Sequence, residues 1–143
     1  MVVYIAVDDE NGLMFNHRRQ SQDRVLRSDI LSSCDGEKLW MNNYSRALFG
    51  TGTEDASASD QHFIVDDEFL NHAGPDDHCY VETDGLAMYE AKITKLVLYR
   101  WNRLYAADLY FEIDLSNWMM ISTKDFVGSS HDKITREEWV RNV

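Results

Sequence analysis

Six residues near the start of the chain, Val2-Val3-Tyr4-Ile5-Ala6-Val7, make a β-rich run that never alternates with polar residues. Successive side chains of a strand point to opposite faces of its sheet, so a strand with one wet face alternates. A run that is apolar at every position suits a strand covered on both faces, as in sheets flanked by helices. The run therefore predicts an α/β layer fold, provided that helices and further strands follow in turn.

They do. Asp8-Asp9-Glu10-Asn11-Gly12 carries the Asn-Gly turn signal. From Ser21, the apolar positions Val25, Leu26 and Ile30 fall on one face with Arg24, Arg27 and Asp29 outside it. That pattern predicts an amphipathic helix with Ser21 or Asp23 as N-cap. Strands are expected over 38–41, 62–65, 79–81 and 96–101. Short helices are expected over 43–49 (stopping at Gly50), 66–72 and 86–91. Gly50 to Gln61 has few apolar residues and reads as a mobile loop. Gly74-Pro75-Asp76-Asp77 is a turn around the single proline. Thr135-x-x-Glu138 has the form of a capping box and predicts a final helix. The chain of 143 residues suits one domain, spanning 1–143, with a substantial core.

Charge narrows the functional classes. The net charge is −11, and its whole excess lies between Ala47 and Ala91, which hold eleven acids and no Lys or Arg. Such a block repels phosphate backbones, so direct nucleic-acid binding is not expected. Asp66, Asp67, Glu68, Asp76 and Asp77 are its candidate interaction face, suited to a protein with a basic surface. The plainer reading is a solvated acidic surface. No apolar run approaches the roughly 20 residues of a membrane span, so a soluble, cytoplasmic protein is the expectation. Cys34 and Cys79 lie far apart without CxxC spacing and read as two buried thiols.

Lys95 to Ser122 carries a further signal: a strand, a short polar crossing, Ala107-Asp108-Leu109-Tyr110-Phe111, then Trp118 three residues after Leu115. That order resembles the C-terminal part of dihydrofolate reductase. Residues 4–12 resemble the family's first strand and loop, Leu39 to Ser45 its second strand and Met-Gly-Arg-x-Thr step, and Val65 to Leu70 a later strand-to-helix entry. Val81 to Tyr89 stands where the family has Ile-Gly-Gly followed by a helix. The resemblance implies a three-layer dihydrofolate reductase-like sandwich, trimmed by one or two strands. It places Asp23 where the family keeps its catalytic acid. The plainer reading of Asp23 is a first-turn helix acid paired with Arg27.

The departures from that family bear on activity. Thr83 and Asp84 replace the glycines that let backbone amides approach the NADPH pyrophosphate, and Glu82 stands beside them. Asn42-Asn43 replaces Gly-Arg. A strand and a folate-tail arginine are missing between Phe49 and His62, Arg27 replaces an apolar residue, and Tyr99 replaces a Thr that orients the acid. After Trp118 the tail is expected to be helical where the family has a last strand. What remains is a remnant cleft at Asn42, Asn43, Ser45, Glu82, Thr83, Asp84 and Gly85, with no cofactor expected and with Glu82 and Asp84 repelling a diphosphate.

Three readings follow: a non-catalytic binding or regulatory protein engaging a basic protein or a small ligand; an NAD(P)H-dependent reductase of altered substrate using Asp23; or an acidic inhibitor of a nucleic-acid enzyme. The chain also resembles short bacterial proteins labelled ribonuclease Z, but it lacks the His-x-His-x-Asp-His motif of that enzyme. His72 to Cys79 gathers His, Asp and Cys around a turn without metal-site spacing, so no metal is expected. Ser129-Ser130-His131-Asp132 is adjacency in sequence and reads as a turn.

Overall fold

The run Val2–Val7 becomes β1, a central strand of a seven-stranded sheet in the computed structural model, which describes residues 1–50 and 62–142. β2 (Gly12–Phe15) and β3 (Arg18–Arg19) form a hairpin, and α1 spans Arg24–Cys34. There follow β4 (Leu39–Met41), α2 (Asn43–Leu48), β5 (Phe63–Val65), α3 (Phe69–His72) and β6 (His78–Val81). A 3-10 segment at Ala87–Lys92 leads to β7 (Lys95–Arg100) and β8 (Leu109–Tyr110). β9 (Trp118–Phe126) and β10 (Ile134–Arg141) end the chain. The main sheet runs β5-β4-β6-β1-β7-β10-β9, and β3-β2-β8 form a second, small sheet. β1 pairs in parallel with β6 on one side and β7 on the other.

The pleat sorts side chains into two cores, one on each face of the main sheet. Val3, Ile5, Val7, Cys79, Val81, Leu96 and Leu98 join Phe69, Leu70, Leu86 and Trp118 on one face. Tyr4, Tyr80, Val97 and Tyr99 join Leu26, Ile30 and Leu31 of α1 on the other. The unbroken apolar run of β1 is thereby explained: both of its faces are covered. Cys34 and Cys79 are buried thiols, one in each core. No helix among the described residues is long and apolar enough to cross a membrane.

The end of the chain departs from expectation. Thr135 to Arg141 belongs to β10, antiparallel to both β7 and β9, so the predicted final helix and helical tail are wrong. Side chains that mimic a capping box serve the sheet instead. Thr135 Oγ1 donates to Asp125 Oδ1 across the strand pair at 2.7 Å. Glu137 meets Arg100 at 2.9 Å and Glu138 meets Lys95 at 2.7 Å, both bases being on β7. A local four-residue match cannot outweigh two flanking strands and their cross-strand pairs.

Other boundaries shift slightly. The helix expected from Asp66 begins at Phe69, after a turn in which Asp66 accepts the Glu68 amide. The segment after Leu86 is 3-10. The loop and missing strand expected between Phe49 and His62 lie, apart from Gly50, outside the described residues.

Candidate functional site

In an open α/β sheet, ligands lie in the crevice beyond the carboxyl ends of adjacent strands whose connections leave on opposite faces. β1 and β6 are such a pair. From β1 the chain passes through the β2–β3 hairpin to α1, which packs in one core, and from β6 it passes to Leu86 and the 3-10 segment, which abut the other. Asp8 directly follows β1 and Glu82 directly follows β6, and both are buried. Two carboxylates therefore flank the crevice.

Both carboxylates are engaged from one segment. Arg19 makes a bidentate pair with Glu82, Nε to Oε2 at 2.8 Å and Nη2 to Oε1 at 3.0 Å. Ser45 Oγ donates to the same Oε1 at 2.8 Å. The guanidinium lies 4.4 Å from the centre of the Tyr44 ring, and the Tyr44 hydroxyl accepts the Arg19 amide at 2.9 Å. The next residue, Gln20, donates its side-chain amide to Asp8 Oδ2 at 2.9 Å. Asp8 also accepts the amides of Glu10, Gly12 and Tyr105. Burial alone would raise its pKa, but these donors hold it below the usual carboxylate value. Gly12 is required here, because a Cβ would lie about 2.7 Å from Asp8 Oδ2 and Ala107 Cβ.

The helix starts beside the crevice are filled by side chains of the same chain. Glu112 Oε1 accepts both the Leu86 and Ala87 amides, at 2.6 and 2.7 Å. A Cβ on Gly85 would lie 3.3 Å from that oxygen. At α2, Asn42 Oδ1 accepts the Ser45 amide, and Asp67 Oδ1 accepts the Asn43 amide. Asn42 Nδ2 donates to Thr83 Oγ1 at 2.6 Å, and Thr83 donates to Asp84 Oδ2 at 3.1 Å. Burial raises the pKa of Asp84. Every remnant-cleft residue thus sits in one region, although Glu82 faces Arg19 as a neutralised pair. An adjoining cavity of about 480 Å³ is lined by Met14, His17, Thr83, Asp108 and Leu109.

Asp23 is the N-cap of α1 and is 2% exposed. Its carboxylate accepts five hydrogen bonds, from the amides of Val25, Leu26, Ser129 and Ser130 and from Ser130 Oγ. Burial would raise its pKa, yet the amides of Ser130, Ser129 and Leu26 and the Ser130 hydroxyl drive it far below the usual range. Tyr99 directs its hydroxyl to Asp29 at 2.6 Å, not to Asp23. Ser129 to Asp132, read as a turn, is a bent loop whose Ser129 and Ser130 amides clamp the start of α1. His131 Nδ1 meets Ser130 Oγ at 2.8 Å, its Nε2 meets the Tyr105 hydroxyl at 2.8 Å, and its ring stacks on Trp101.

No protein-family model matches the chain, and no curated protein matches it. Among solved structures it is similar to dihydrofolate reductase from Enterococcus faecalis, described as complexed with NADP(H) and RAB-propyl. The identity is 16%, the TM-score 0.61, and the match covers 99% of this chain and 96% of that one. The fold is dihydrofolate reductase-like. At that identity the likeness speaks for the fold alone.

Within this dihydrofolate reductase-like frame, the acidic face is partly structural. Asp66 binds the Glu68 amide and His72, Asp67 holds α2, and Asp77 Oδ2 accepts Trp40 Nε1 and the Gly74 amide. Glu68 and Asp76 are exposed. Sequence reasoning missed Arg19, Asp8 and Glu112. Only Asp8 left a signal, in its Asp-x-x-x-Gly turn; Arg19 and Glu112 reach their partners across 63 and 26 positions.

Proposed function

We propose that this protein is a non-catalytic binding or regulatory protein on a dihydrofolate reductase-like scaffold. The observation that carries the reading is the in-cis filling of its crevice: Arg19 and Gln20 occupy the strand-end carboxylates, and Glu112 occupies the amides of Leu86 and Ala87. Helix-start amides are where a phosphate group gains most, and a carboxylate already holds these. The residues present do not fit NADPH. Its partner is a protein with a basic surface or a small ligand, met through Glu68, Asp76 and the neighbouring acids or through the cleft. Calorimetric titration with NADPH and NADH tests the reading: no heat is expected at millimolar cofactor, and micromolar binding overturns it.

The alternative, an NAD(P)H-dependent reductase using Asp23, is favoured less because a general acid must hold a proton near the working pH. Five donors keep Asp23 ionised instead. Inhibition of a nucleic-acid enzyme through the acidic block is a narrower form of the basic-partner reading.

A further inference from the structure

The segment Arg19-Gln20 lies in the crevice as a bound ligand would. Arg19 reaches it on a hairpin whose own pairing is short: only Met14 with Arg19 and Phe15 with Arg18. Asn16 and His17 turn that hairpin at positive φ, 52° and 61°. Every group around the guanidinium comes from elsewhere in the chain. Glu82 supplies a forked acceptor, Ser45 fixes one carboxylate oxygen, and Tyr44 supplies an aromatic face and a carbonyl 3.4 Å from Nη2. A planar forked cation matches this set, since carboxylate geometry and ring stacking both favour guanidinium over ammonium. Gln20 Oε1, in the same crevice, is buried without a hydrogen-bond partner among the described residues. Buried acceptors are normally paired, so this oxygen leaves a place for one more donor.

We infer that the crevice is a guanidinium-recognition site, held closed by Arg19 as an internal competitor, and that its ligand presents an arginine-like group to Glu82, Ser45 and Tyr44. The inference rests on the binding-protein reading and deepens it, because an arginine on a basic partner has the required chemistry. A ligand must outcompete a group tethered at an effective concentration in the millimolar range. The cavity beside Met14 and Thr83 gives room for the rest of the ligand. The mouth beside Ala6, Leu13 and Trp101 holds only about 10 Å³ while Arg19 is in place.

The test removes the internal competitor from the full chain. Arg19→Ala is titrated with ethylguanidinium chloride, with ethylammonium chloride at equal ionic strength, and with acetyl-Gly-Arg-Gly-amide, following melting temperature and calorimetric heat. Saturable binding of ethylguanidinium is expected, about tenfold or more tighter than to the unaltered protein. Ethylammonium should bind at least several-fold more weakly, and adding Glu82→Gln should abolish binding. A peptide tighter than ethylguanidinium identifies a protein segment as the source; equal affinity identifies a small guanidine. Equal response to both cations, retention of binding in the double variant, or no saturable response overturns the proposal. Should Arg19→Ala not fold, the Nε–H resonance of Arg19 is followed in the unaltered protein. Its displacement by ethylguanidinium and not by ethylammonium is expected, and an unmoved resonance overturns the proposal. A failure here leaves the cofactor titration unaffected, so the two readings fall separately.

Discussion

Asp23 illustrates how hydrogen bonding can strongly perturb a buried carboxylate. It joins the α1 start to the loop before β10, and it does so most strongly while ionised. Because its folded pKa is depressed, its contribution is fully present above the unfolded value of about 3.9 and fades as pH falls through and below that value. Asp23→Ala should destabilise the protein by about 2–4 kcal/mol, more than an isolated cap, because it orphans loop amides as well. Urea unfolding at pH 7 and at pH 3 checks this: the gap between the two proteins should narrow in acid. Gly128→Ala should also destabilise, because the new Cβ would run into the Asp23 carboxylate and Ile134 Cδ1. Glu112 invites a different experiment. Glu112→Ala frees the Leu86 and Ala87 amides, and calorimetry should then detect weak pyrophosphate binding that the unaltered chain lacks. If Glu82→Ile, Thr83→Gly and Asp84→Gly together permit binding while Glu112→Ala does not, charge and bulk after β6 are the barrier, not the internal carboxylate.

At the scale of elements, β10 is the piece most exposed to misreading and most informative to perturb. It lies between β7 and β9, so its backbone groups are committed on both edges. Val140→Pro removes a donor from this ladder and should cost about 3 kcal/mol or more, enough to prevent folding of a marginally stable chain. Hydrogen exchange offers a gentler check: amides of 134–141 should exchange as slowly as those of β7, whereas a terminal helix would fray. The ion pairs of Glu138 with Lys95 and Arg136 are partly exposed, so Glu138→Ala should cost only about 1 kcal/mol.

For the whole molecule, the two cores lie on opposite faces of one main sheet. Unfolding should therefore be a single cooperative event, with one urea midpoint by tryptophan fluorescence and by far-ultraviolet circular dichroism. Trp118 reports from one core and Trp101 from the other, which makes the comparison sharp. Two separated transitions would contradict a single domain. The acidic excess makes any contact of its exposed face with a basic partner salt-sensitive over a screening length of about 8–10 Å. Reversing the exposed Glu68 and Asp76 of the proposed acidic face should weaken such binding without unfolding the protein.

The layered α/β class was legible in the order of residues. Val2–Val7 is apolar throughout, and Leu26 and Ile30 recur at helical spacing, so local pattern already states which faces must be covered. The order of segments also pointed to Asn42, Ser45, Glu82 and Thr83, which the fold brings into hydrogen-bond contact. What fills the remnant cleft became visible only in the folded chain. Arg19 meets Glu82, Glu112 meets the Leu86 amide, and Asp23 meets Ser130 through separations of 63, 26 and 107 residues. No local pattern marks a side chain whose partner is that distant. The tail failed for the same reason: Thr135 and Glu138 have helix-capping spacing, but β7 and β9 offered them partners on both sides, and cross-strand pairing outweighed a four-residue preference.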